Sequence, residues 1–186
     1  RRVPRVGPHV VAEDRDGCLR LVEKYRDRRL ADRVFDLAWT HSQVMLRQLD
    51  ASQADAQLYE RLAGSILYAT PALRADPGVL AKNRRSQSGL WGQAISGDLP
   101  VVLLQLADAA NIGLVWQMVQ AHAYWRSKGL AVDLVIWNED HAGYRQLLHE
   151  QIMGLIAAGV EAHVIDRPGG IFVRPAEQIS NEDRIL

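Results

Sequence analysis

Cysteine occurs once in the 186 residues, at Cys18, so the chain has no internal disulfide and no cysteine-built metal centre. That scarcity fits a reducing compartment or a piece of protein that never needed disulfides. Net charge is missing as well: 22 basic side chains balance 22 acidic ones, which removes the footprint of a nucleic-acid binder and the polybasic patch of a membrane-surface protein. No apolar run approaches the roughly 18–20 residues that a spanning helix needs, and no signal-peptide pattern is visible. The six histidines recur at no i, i+4 spacing, and His141 and His149 are eight residues apart, so a zinc site has no sequence support. What is present is an ordinary globular balance, 48% hydrophobic and 24% charged, enough for one well-filled core.

The first half reads as helical. Residues 1–13 carry two prolines and read as an extended tail from a preceding domain. Helices are expected over about 14–25 and 30–49. In the second, Leu30, Val34, Leu37, Ala38, His41, Val44, Met45 and Gln48 recur at three- and four-residue steps, which predicts a buried stripe with a packed His41 at its edge. Ser52 with Asp55 forms a capping pair for a third helix that stops near Tyr68, ahead of Pro71 and the turn at Asp76, Pro77 and Gly78.

From Leu99 the period changes. Val101 to Leu106 is expected as a strand buried on both faces, from its length, β-branching and lack of alternation, followed by a helix over about 112–128 that ends at Gly129. A second strand is expected over 131–137, a helix over about 142–158 stopped by Gly159, and a third strand over 161–165. Residues 171–174 add a possible short edge strand. Connections of this length demand parallel pairing. The fold class is therefore α/β, with N-terminal helices packed on a small parallel βαβαβ sheet of three or four strands. The expected division is a tail at 1–13, a helical subdomain at 14–86 and an α/β subdomain at 87–186, together one module. Ser180 and Asp183 have the spacing of a helix cap whose helix is cut off after one turn, and with the absence of an initial Met this gives the chain the look of a piece excised from a longer polypeptide.

Two clusters carry candidate chemistry. The loop before the first strand holds Arg84, Gln87, Trp91, Gln93 and Asp98, a mixture of indole, amide, guanidinium and carboxylate suited to stacking and hydrogen-bonding a sugar. The carboxyl end of the second strand holds Trp137, Asn138, Glu139, Asp140 and His141, at the place where open parallel sheets hold ligands. Both have a structural reading too: Trp91 plugs the join between the two halves, and Asp140 caps the next helix above a packed Trp137. The turn after the first strand lacks the glycine fingerprint of a dinucleotide site, and Ser88 and Ser96 stand in no nucleophile elbow. Two carboxyls facing one cleft, Asp98 with Glu139 or Asp140, would instead make a small catalytic domain acting on glycosidic bonds.

The run 83–103, containing Ser88-Gly89-Leu90-Trp91-Gly92 and Ile95-Ser96-Gly97-Asp98-Leu99-Pro100, resembles a segment of the cyclic β-1,2-glucan synthetases. So do the run 120–139 and the turn at Asp166, Arg167, Pro168, Gly169 and Gly170. These are large bacterial inner-membrane proteins whose C-terminal part is similar to glycoside phosphorylases. The resemblance implies a UDP-glucose donor, a β-1,2-glucan acceptor and a product destined for the periplasm. It also implies that transfer belongs to a separate membrane-associated domain. This chain would then be a soluble, cytoplasmic-side module without cofactor, metal or catalytic residue. Its partners would be β-1,2-glucan and neighbouring domains of the same polypeptide, with no nucleic acid and no direct membrane contact.

Overall fold

The computed structural model describes residues 14–68, 70–139 and 145–186. The chain forms two compact units that divide between Met45 and Leu46.

The first unit holds α1 (Arg15–Arg26) and most of α2 (Arg28–Gln48). Asp14 caps α1 by accepting the Gly17 N–H at 2.6 Å, and Asp27 accepts the Arg29 N–H at 2.9 Å where α2 begins. The periodicity of α2 is real but its stripe is not buried. Val34, Leu37 and Val44 are each about half exposed, and His41 lies on open surface. Apolar spacing marks a face, not its cover, and among the described residues none covers this one.

The second unit contains α3 (Gln53–Leu67), α4 (Pro77–Leu80), β1 (Val101–Leu106), α5 (Ile112–Ser127), β2 (Asp133–Asn138), α6 (Arg145–Ala158), β3 (Ile171–Pro175) and α7 (Asn181–Ile185). The Ser52 and Asp55 capping box is formed in full at the start of α3. Helix α3 joins the α/β part, rather than standing with α1 and α2, because its Tyr59 is 1% exposed against α5. The indole N–H of the equally buried Trp125 donates to the Tyr59 carbonyl at 2.8 Å, and the Tyr59 hydroxyl donates to Gln120 at 3.1 Å. These contacts place α3 in the second unit.

The sheet is α/β and parallel throughout, in the order β1-β2-β3. One face carries Leu106, Leu134, Ile136, Ile171 and Val173, closed by Val115 and Val119 of α5 and by Leu148, Ile152 and Ile156 of α6. Both helices lie on this face, as two like-handed crossovers between sequential neighbours require. The opposite face carries Val135, Trp137 and Phe172, covered by Leu90, Ile95 and Ile179 from the irregular segments before β1 and after β3. The first strand is not buried on both faces as its composition suggested: β1 is an edge of the sheet, and Val101 and Leu103 stay about half exposed.

The third strand is not where its composition placed it. Residues 162–164 form a single 3-10 turn, and 171–175 pair with β2. The chain reverses between them through Asp166 at φ 54° and Gly169 at φ 72°, and Gly170 passes so close to this turn that a Cβ there would lie 1.9 Å from the Val164 carbonyl oxygen. The Gly170 carbonyl then accepts the Leu134 N–H at 2.9 Å, opening the β2–β3 ladder. Gly170→Ala is expected to cost about 3 kcal/mol or more, because the atoms in its way are backbone. Gly129→Ala, at φ 83° but in open space, is expected to cost only about 1 kcal/mol. Urea denaturation of the two variants measures both.

Candidate functional site

The loop before β1 is built around one carbonyl. A 3-10 segment over Gln87–Gln93 ends in Ala94 at φ 61°, and Gly97 at φ 75° turns the chain toward the strand. These two left-handed residues bring the Ser96 carbonyl under the segment. It accepts the Gln87 amide N–H at 2.9 Å and the Trp91 indole N–H at 3.2 Å. Gln87 also donates to Asp98 Oδ1 at 2.9 Å. Leu90 and Ile95 pack beneath, while the Trp91 ring stays 65% exposed. Gln87, Trp91 and Asp98 are therefore brought together as a rigid outer surface with an indole on top. Arg84 is exposed beside them. Gln93 contributes its carbonyl, which accepts two bonds from Arg174 at 2.9 and 2.7 Å.

The second cluster lies elsewhere. Trp137 is 9% exposed, with the Arg184 guanidinium 5.7 Å from its ring centre, and Asn138 is buried. Glu139 donates its N–H to the Leu106 carbonyl at 2.8 Å, and its carboxylate is 3.9 Å from Arg184. Asp140 and His141 lie outside the described residues. Asp98 precedes β1, whereas Glu139 follows β2 at the other end of the ladder. Leu106 pairs with Asn138 and Val101 with Asp133, so at about 3.3 Å per residue the two ends of the ladder that these residues flank lie roughly 16 Å apart along the strands. Paired carboxyls of glycosidases stand about 5–9.5 Å apart.

The strongest polar cluster is one that the sequence reading passed over. His122 is 0% exposed on α5, with Nε2 donating to the Val132 carbonyl at 3.1 Å and Nδ1 2.6 Å from Glu161 Oε2. Arg126, one turn further on, donates to both oxygens of Glu161 at 3.0 and 3.2 Å. Burial opposes ionisation of Glu161, but the hydrogen bonds and charges of His122 and Arg126 outweigh it and hold the carboxyl below its ordinary range. Asp133 goes the other way: burial pushes it up, against the Gly169 N–H, which donates to Oδ1 at 2.7 Å. Its Oδ2 has no hydrogen-bond partner among the described residues. The available signal was spacing: Val115, Val119 and His122 share one apolar face of α5, and a histidine there must be buried and therefore partnered. Tyr124, on the same helix, is pushed up to about 12 by burial and by Glu60, whose carboxylate accepts its hydroxyl at 2.9 Å.

No protein-family model matches the chain. Over 143 residues, 77% of its length, it is 33% identical to the cyclic β-(1,2)-glucan synthase NdvB of Rhizobium meliloti (strain 1021). The chain is similar to a cyclic β-glucan synthase. This is the relationship that the motifs around Trp91 and Trp137 imply. The matched residues span 5% of that relative's length. Among the described residues, no helix is long and apolar enough to cross a membrane.

Because the folded state lowers the Glu161 value, its stabilisation is present above the ordinary carboxylate range and is lost as pH falls through the lowered value. Asp133 acts oppositely: its cost is present above its raised value and is relieved as pH falls through it. Glu161→Gln is expected to lose about 3 kcal/mol at pH 7, and the gap to the parent to narrow below about pH 4. Urea midpoints at both pH values measure this.

Proposed function

We propose that the chain is a non-catalytic unit of cyclic β-1,2-glucan synthesis. In this reading it holds neighbouring parts of a longer polypeptide in register and touches the glucan, while glucosyl transfer from UDP-glucose takes place elsewhere in that polypeptide, on the cytoplasmic side of the inner membrane. The similarity to a named glucan synthase supports the process. The observation that carries the non-catalytic role is the separation of Asp98 from Glu139, each of which is bound to a neighbour: Asp98 to Gln87, and Glu139 to Arg184. An acid and a base working on one glycosidic bond share a cleft, and the placement of Asp98 and Glu139 at opposite ends of the ladder supports the non-catalytic reading.

The glucan contact in this reading belongs to the outer surface of the loop. Trp91 presents its ring while its N–H is committed to Ser96, which fixes the plane against which a pyranose can stack. Gln87 and Asp98 stand beside it as hydrogen-bonding groups. Trp137, Asn138 and Glu139 sit under α7 and serve the sheet.

Linear and cyclic β-1,2-glucans titrated to millimolar concentration are expected to change tryptophan emission saturably. Trp91→Ala should weaken that response about three- to tenfold, the range of an aromatic contact of roughly 0.5–1.5 kcal/mol. A flat titration of the parent chain removes the glucan contact and leaves the scaffold role alone.

A further inference from the structure

A cavity of about 260 Å³ lies between α5, the carboxyl end of α6 and the turn that links α2 to α3. Leu49, Val119 and Val160 give it apolar walls, and Trp116, Gln48 and Asp50 line it with polar atoms. These three side chains form no hydrogen bond or ion pair among the described residues. Gln48 and Asp50 are exposed and Trp116 is half-buried, so their polar groups face the opening of the cavity.

The position of Asp50 adds a second observation. Helix α2 ends in a Schellman arrangement: the Ala51 N–H donates to the Leu46 carbonyl at 2.9 Å and the Asp50 N–H to the Arg47 carbonyl at 3.1 Å. Asp50 occupies the left-handed position at φ 50°, which glycine adopts without steric cost and aspartate adopts more readily than most residues. The turn is also held rigid from behind. The buried amide of Gln120 donates to the Leu49 carbonyl at 2.7 Å and the Asp50 carbonyl at 3.3 Å, and is itself fixed by the Tyr59 hydroxyl. The backbone that carries Asp50 is thereby fixed at the rim of the cavity.

The lining contains no lysine, arginine or histidine, so a phosphate or nucleoside diphosphate would meet Asp50 with nothing to neutralise it. An indole, an amide and an acceptor carboxylate around apolar walls suit a neutral, polyhydroxylated ring. The volume is just below the roughly 300–1,000 Å³ of drug-sized sites, room for one sugar ring. We propose that this cavity is a subsite for a single glucose unit of the glucan, with Trp116 stacking on the ring and Asp50 and Gln48 binding its hydroxyls. The proposal rests on the glucan reading above but puts a contact on a different surface from Trp91.

The test follows the indole N–H resonances of the whole chain by NMR while linear β-1,2-gluco-oligosaccharides are added, with Trp116→Phe and Trp91→Ala assigning the signals. The Trp116 resonance is expected to shift saturably. Asp50→Gly should weaken that binding roughly tenfold while the variant melts no lower than the parent, since glycine suits the turn. A tightly folded Asp50→Gly variant that binds as the parent does overturns the proposal. Shifts confined to Trp91 overturn it while sparing the loop reading, and no response at any indole overturns both. A UDP-glucose arm that shifts Trp116 more than the neutral glucan does also overturns it.

Discussion

The 2.6 Å contact between the His122 imidazole and the Glu161 carboxylate is the constraint on which the α/β unit depends. Glu161 follows α6, and a carboxylate that is 3% exposed is unaffordable without partners. His122 and Arg126, one turn apart on α5, supply them. Tying that residue to α5 fixes where the chain leaves α6, turns residues 162–164 into a single helical turn and sends the backbone through Asp166 and Gly169 into β3. The Gly169 N–H then bonds Asp133 at the start of β2. Two bases and two acids thus close one network across α5, β2 and the link between α6 and β3, with the Asp133 oxygen left over as its one unsatisfied atom among the described residues.

The same logic separates structure from recognition on the surface. A polar group committed to an internal partner has already spent its directional capacity, so it shapes a surface more than it selects a ligand. Glu139 is of that kind, and so is the Trp137 ring beneath Arg184. The exposed face of Trp91 and the uncommitted trio of Trp116, Gln48 and Asp50 are of the other kind.

Much of the fold was legible because local chemistry agreed with tertiary packing. Ser52 and Asp55 form their capping box, Gly129 closes α5 with φ 83°, and the apolar run 101–106 is β1. The errors share one cause. Residues 161–165 have the composition of a strand, but an ion pair with α5, invisible in a linear reading, claims Glu161 and gives the strand to 171–175. The α2 stripe has helical spacing, but spacing does not say what lies opposite. Gln87, Trp91 and Asp98 do lie together in one loop, and the expected parallel pairing already implied that Asp98, before β1, and Glu139, after β2, flank opposite ends of the ladder. Asp50 was missed because it reads as a turn residue, and only its positive φ and the cavity beside it single it out.

The two faces of the sheet differ in the free energy needed to expose them. On one side α5 and α6 interlock with all three strands through fully buried aliphatic side chains. On the other, a 3-10 segment and the five-residue α7 are joined by Arg85 to Glu182 and Asp183, contacts made largely in solvent, where such pairs contribute at most about 1 kcal/mol. Backbone amides of this thin cover exchange with solvent through local opening, well before those of β2 and α5, which exchange only when the whole unit unfolds. An opening of this kind would uncover Phe172, Val135 and Trp137 while leaving the hydrogen bonds of the ladder in place.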